Sequence, residues 1–212
     1  MPGRPSLSLR ERKRLATWTA LHEAALSMAL GRDDLNQVTV EAIAEAANVS
    51  PRTFFNYFNS KEDAVLGLHE PMLSEAETTR FAEAGEDVLV EAVVRLLYEV
   101  SYCGALGAGE ARQRRRAVLH RYPELVQRLF AHFLKVEQMV TRVVAERLRT
   151  SPRWRADPGQ DVDQAAQMIV MTAGAALRMA ARQTAATGSA ADEEAALDHG
   201  ISLLRDIARK IS

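Results

Sequence analysis

Apolar residues recur at spacings of three and four almost from the start of this 212-residue chain. Trp18, Leu21, Ala25 and Met28 form one stripe, which predicts a first helix from about Leu7 or Leu9 to Leu30. Gly31 and the polar loop RDDLNQ close it. Thr39 then stands where an N-cap belongs, and VEAIAEAA turns Val40, Ile43, Ala44 and Ala47 to one side. Asn48 accepts the left-handed backbone of a tight turn better than most residues with a side chain. Ser50 is a second N-cap, and Pro51 follows at the first helical position, where its missing N–H leaves no bond unmade. PRTFFNYF makes a short third helix to near Asn59. Ser60 caps a fourth, expected to run through Gly67 to about Glu70.

Longer patterns follow. Helices are expected from about Asp87 to Leu106, over ARQRRRAVLH, from Pro123 to about Thr150, from DVDQAAQM to Gly188, and from about Asp192 to Ile211, with SPRWRADPGQD as a loop. No segment alternates with period two, so the expected fold is all-α with about nine helices. The pattern divides into three short helices over residues 1–62 and a larger helical domain over 63–212.

A hydrophobic content of 47% is ample for a buried core, so the chain need not lean on disulfides or metals. The single cysteine, Cys103, has no partner within the chain. No apolar run approaches the roughly 18 residues of a membrane span. The basic start is followed by an amphipathic stretch rather than the apolar segment of a signal peptide, so a soluble cytoplasmic protein is expected. Net charge is −1, so positive charge has to be sought locally.

Two short helices joined by a tight turn, the second carrying Arg, Thr, Asn and Tyr, form a helix-turn-helix. Phe54 and Phe58, four residues apart, anchor the inner face of the second helix. Arg52, Thr53 and Asn56 fall on the other side, free to meet DNA, and the Tyr57 hydroxyl reaches for a phosphate. Lys61, in the first turn of the next helix, adds an ammonium to a helix N-terminus and so makes an anion site. Arg4, Arg10, Arg12, Lys13 and Arg14 face only Glu11 among the first twenty residues. Such an arm lies along phosphates or enters the minor groove, or else serves as a solubilising tail. The alternative for the whole motif is a pair of capped core helices in an ordinary α protein.

The run from Thr39 to Leu66, TVEAIAEAANVSPRTFFNYFNSKEDAVL, resembles the signature of TetR-family transcriptional repressors. Asn48 stands where a glycine is frequent in that pattern. The resemblance implies that Thr39 touches a phosphate, that Ser50, Arg52, Thr53 and Asn56 present from the recognition helix, and that Tyr57 and Lys61 clamp the backbone. Phe54 and Phe58 would be structural, with Phe55 against a sugar or a thymine methyl. The basic residues Arg10, Arg12, Lys13 and Arg14 complete the expected DNA-binding set.

The larger domain would then bind a ligand and form a dimer. Leu197, Ile201, Leu204, Ala208 and Ile211 line one face of the last helix. Ala165, Ile169, Ala173, Gly174, Ala176 and Leu177 give the preceding helix a small or apolar face. The resemblance implies that these two helices pair with their copies in a homodimer, on a near-palindromic double-stranded DNA operator. An intramolecular core is the other reading of the same faces. Tyr98, Tyr102, Phe130, Phe133, Met139, Met168 and Met171 are candidates to line a cavity for a small lipophilic effector, with Arg178 facing any anionic group; plain core packing is the alternative for each. Trp154 would lid that cavity or staple its loop. For the run Arg112, Arg114, Arg115, Arg116 and Arg121, a solvated helix face comes first and a salt-bridged link to the DNA-binding head second. An anionic ligand comes third and direct DNA contact last.

An enzyme is not expected. The chain has no nucleophile elbow or phosphate loop, and His22, His69, His120, His132 and His199 are scattered without metal-ligand spacing. No cofactor, metal or membrane enters this reading. The competing reading is a helical adaptor that binds only protein; it leaves the Arg52, Asn56 and Lys61 face and the basic arm without a use.

Overall fold

A computed structural model describes residues 8–102, 110–155, 159–183 and 190–211. They form eleven α-helices, with no strand among the described residues. In order these are α1 (Leu9–Leu30), α2 (Val40–Ala46), α3 (Pro51–Phe55), α4 (Lys61–Leu66), α5 (Glu75–Glu83) and α6 (Leu89–Tyr102). Then come α7 (Glu110–Arg121), α8 (Leu125–Thr150), α9 (Pro152–Arg155), α10 (Val162–Gln183) and α11 (Ala190–Ile211). Short 3-10 turns cover Leu35–Gln37 and Glu86–Val88. No described helix is long and apolar enough to cross a membrane.

The chain separates into two compact units. The first holds residues up to Glu70 together with Ala111–Leu129, and the second holds Pro71–Cys103 and Phe130–Ser212. The sequence pattern placed the division at 62/63, but Ala64, Val65, Leu66 and Leu68 are buried in the core of the first unit. α4 also ends earlier than expected. Gly67 adopts φ 65°, its N–H donates to the Ala64 carbonyl at 3.2 Å, and Leu68 N–H donates to the Asp63 carbonyl at 2.8 Å. That paired closure stops the helix. The same closure ends α2, with Asn48 at φ 53° and bonds from Asn48 N–H to Glu45 and Val49 N–H to Ala44, each 2.9 Å. Asparagine serves at one turn as glycine does at the other.

Two elements were missing from the sequence pattern. α5 begins with a capping box: Ser74 Oγ accepts from Glu77 N–H at 3.2 Å, and Glu77 returns the bond to Ser74 N–H at 2.6 Å. The S-x-x-E spacing was present in the sequence to be read. α9 is one turn inside the segment expected to be a loop.

In the first unit, Phe54 and Phe58 are fully buried beside Trp18, with ring centroids 5.4 Å apart for Trp18–Phe58 and 5.8 Å for Phe54–Phe58. In the second, Val136, Val140, Val144 and Leu148 of α8 keep a four-residue stripe in a core shared with α6, α10 and α11. A Cβ on Gly200 would lie 3.1 Å from the Ala176 carbonyl oxygen, so the backbones of α10 and α11 approach closely there. The small face of α10 therefore receives α11 of the same chain. Ala173, Gly174, Ala176 and Leu177 are buried, as are Leu197 and Ile201 of α11, so these faces form intramolecular core. The side chains of Ala208 and Ile211 lie outside those described.

Candidate nucleic-acid interface

The helix-turn-helix is built by its caps. Thr39 Oγ accepts from Ala42 N–H at 3.2 Å, and Ser50 Oγ accepts from Thr53 N–H at 3.1 Å. Each bond satisfies one of the N–H groups that a helix start leaves open. Thr39 is exposed and its hydroxyl proton is not used by the cap, so it remains available to an acceptor outside the protein. Ser50 is more committed, because its Oγ also lies 2.9 Å from Thr53 Oγ.

α1 and the α3 segment together enclose an open concavity of about 820 Å3. Arg10, Lys13, Arg14 and Thr17 line it from α1, and Thr53, Asn56 and Tyr57 from α3 and the turn after it. The four α1 positions follow i, i+3, i+4, i+7, so a helix necessarily puts them on one face. Thr17 was missed in the sequence, although that spacing names it. Arg12 is off this face by the same geometry and does not line the concavity. None of Arg10, Arg12, Lys13 and Arg14 has an ion-pair partner among the described residues. Arg52 is exposed on α3 but outside the lining, as are Thr39 and Ser50. Phe55 is 57% exposed, with its ring edge-on to Phe54 at 5.4 Å between centroids.

Lys61 has a structural task. Its ammonium donates to the Leu35 carbonyl at 2.8 Å, tying α4 to the turn before α2. That bond uses one of its three donors.

The basic run of α7 meets protein as well. Arg114 pairs with Glu23 at 2.5 Å. Arg121 donates to the carbonyls of Leu30 at 3.0 Å and Arg32 at 2.6 Å. The Tyr122 hydroxyl sits 2.9 Å from the Ala29 carbonyl and 2.7 Å from that of Arg32. The Ala29 and Leu30 carbonyls belong to the end of α1, where a helix runs out of its own donors, and that of Arg32 lies in the turn just after it. For Arg114 and Arg121 the salt-bridged link to the head therefore replaces the solvated face ranked first on sequence. The Arg112 side chain lies outside those described. Arg128, at the start of α8, closes a two-pronged pair on Asp63, with Nε–Oδ1 at 2.6 Å and Nη2–Oδ2 at 2.9 Å. This hydrogen-bonded pairing raises the arginine pKa further.

His22 is buried on α1 and lies 2.7 Å by Nδ1 from the Ala64 carbonyl, with Trp18 at 5.2 Å between rings. As the neutral tautomer with the proton on Nδ1, it donates to that carbonyl. Burial pushes its pKa below the usual 6.5, and the nearby Arg115 and Arg114 add to the effect against the carbonyl bond.

The effector-lining residues named from sequence do not converge. Phe130, Met168 and Met171 are 63%, 62% and 51% exposed. Tyr98, Phe133 and Met139 are half-buried, and the side chain of Tyr102 lies outside those described. Arg178 is exposed and lies 3.7 Å from Glu137, so it faces a surface carboxylate. Hydrophobic residue type was a poor guide here, because it does not say which side of a helix meets the core.

Comparison with known proteins agrees with this head. Residues 24–66 match the family described as bacterial regulatory proteins, tetR family. The chain is also similar to the HTH-type transcriptional regulator TcmR of Streptomyces glaucescens, 32% identical over 149 residues. That match covers 66% of this chain and 63% of the relative, so the chain spans somewhat less than two thirds of that protein's length. Two capped short helices around a left-handed turn, with a basic face beside the second of them, thus form a helix-turn-helix of the kind found in bacterial regulatory proteins of the tetR family, and the likeness to that family lies in residues 24–66.

Proposed function

We propose that the protein is a ligand-responsive transcriptional regulator, a repressor that binds a near-palindromic operator as a homodimer and is released by a small lipophilic effector. The family matched over residues 24–66 is one of DNA-binding regulators and not of enzymes. The observation that carries the reading is the shared concavity of Arg10, Lys13 and Arg14 with Thr53, Asn56 and Tyr57. Three cations with no ion-pair partner among the described residues stand beside the polar groups of the segment that would serve as recognition helix, which suits a phosphate backbone and the base edges next to it. Arg52 and Thr39, both exposed, extend the same set.

One such helix contacts few base pairs, so a second copy about 34 Å away, one turn of DNA, is needed for affinity and register. Met168, Met171 and Ala175 are exposed on one side of α10, with Ile207 exposed on α11. These residues support pairing of the last two helices with those of a second copy, through the faces the core leaves open. An effector that binds one conformation of the dimer better than the other shifts the population between them, by no more than that difference in affinity.

The test is a titration of purified protein against the duplex flanking its own gene at two salt concentrations, beside the Arg52→Ala, Tyr57→Phe double variant. The expected result is tight binding to one near-palindromic segment, weakened by salt and by the substitutions. A ligand-stripped protein that selects no sequence from a random duplex pool would overturn the reading and leave a protein-binding adaptor in its place.

A further inference from the structure

The second unit contains a cavity of about 660 Å3 lined by residues of α6, α9, α10 and α11, within the range of about 300–1,000 Å3 usual for small-molecule clefts. Leu89, Val94, Ile169, Ile201 and Leu204 are among its apolar lining. Trp154 of α9 adds an aromatic wall, half-buried against the core of the unit. Of the eight residues named from sequence as effector contacts, none of the seven with described side chains lines it.

We propose that this cavity binds an uncharged, ring-bearing organic molecule. Its charged groups are either engaged by neighbours or exposed to solvent. Glu91 lies 2.5 Å from Arg205 and 3.5 Å from Arg95, and Glu86 accepts a hydrogen bond from the Ser151 hydroxyl. Asp87 and Arg153 are of opposite sign and both exposed, so solvent screens them. The polar groups that remain are neutral: the Gln160 amide, and the Thr172 hydroxyl, which donates to the Met168 carbonyl at 2.7 Å and keeps its oxygen as an acceptor. A charged ligand group would give up its hydration for a largely apolar lining, and the two lining charges with no ion-pair or hydrogen-bond partner among the described residues, Asp87 and Arg153, are exposed and hydrated themselves, so they return little of that cost. A flat apolar body with one or two hydrogen-bonding groups loses little, and its ring can lie on the Trp154 indole. The role of this site as the effector site rests on the regulator reading above; occupancy of the cavity does not.

The experiment uses two dyes with one skeleton. N-phenyl-1-naphthylamine is uncharged, and 8-anilinonaphthalene-1-sulfonate carries an anion. Trp18→Phe leaves Trp154 as the only tryptophan, since the chain has two. It removes no hydrogen bond among the described residues, where the Trp18 indole N–H has no partner. The uncharged dye is expected to saturate at one molecule per chain, quench Trp154 emission and bind at least tenfold more tightly than the sulfonate. Leu204→Trp and, separately, Ile169→Phe, with helical content unchanged, are expected to weaken it at least tenfold, whereas Phe130→Ser and Met168→Gln leave it unchanged. Absence of saturable binding, preference for the sulfonate, or loss of binding only in Phe130→Ser and Met168→Gln would each overturn the proposal. A protein that takes up the dye but selects no DNA overturns the regulator reading alone.

Discussion

Two stretches of the first unit are dense in positive charge, and their charges meet different surroundings. On α1, Arg10, Lys13 and Arg14 line an open concavity with no ion-pair partner among the described residues. On α7 and the start of α8, Arg114 pairs with Glu23, Arg121 covers carbonyls at the end of α1, and Arg128 pairs with Asp63. The difference lies in what is opposite. A helix C-terminus and two carboxylates demand donors, and the second stretch supplies them. No carboxylate or helix end among the described residues makes that demand of the first. Charge density alone would have assigned both stretches the same role.

The comparison is broken most sharply by removing the α1 charges. Arg10→Gln, Lys13→Gln, Arg14→Gln is expected to abolish tight DNA binding and to flatten the plot of log affinity against log salt by about 2.7 per chain, at about 0.9 for each phosphate released. Melting temperature should stay near that of the parent. Salt titrations by fluorescence anisotropy, with a thermal melt alongside, would show it. An unchanged slope would mean these cations face solvent only.

The second stretch should behave in the opposite way. Tyr122→Phe takes the hydroxyl from the buried Ala29 carbonyl, while Arg121 still covers that of Arg32, and about 1–3 kcal/mol of stability should be lost in urea unfolding. The salt slope of DNA binding should not move.

Acid probes the same head through His22. Its folded pKa lies below the ordinary 6.5, so the unfolded chain takes up the proton first as pH falls. Stability is therefore full above about pH 6.5 and declines below it, by at most about 1.4 kcal/mol per pH unit, until the folded pKa is reached. Urea melts between pH 7.5 and 5.5 should show a decline that His22→Gln reduces. An equal decline in both proteins would assign the effect to other groups.

The smallest effect belongs to Arg128→Ala. Its partner Asp63 is 13% exposed at the side chain but the arginine is 42% exposed, so solvent screening limits the loss to about 1 kcal/mol or less. Arg128→Lys should recover only part of it, because an ammonium cannot reproduce the two-pronged geometry.

Much of the head was legible in the sequence because its determinants are local. Thr39, Ser50 and Ser60 cap their own helices three residues on, Asn48 makes its own turn, and Phe54 and Phe58 share a face by spacing alone. The same local grammar named Ser74 and Glu77 and was overlooked. Position relative to other elements was not legible. The Lys61 bond to Leu35 spans 26 residues and the Arg121 and Tyr122 bonds to α1 span about 90, and no helical period encodes such a meeting. The effector residues show this most clearly: Met168 and Ile169 are neighbours in sequence, yet Met168 is 62% exposed and Ile169 lines the cavity. By itself the sequence determined the helices, their caps and the reading head, since those follow from interactions within a few residues. Only the tertiary structure decided which cations stay open to a partner, which helix fills the small-residue face of α10, and where a cavity remains, because each depends on what packs opposite.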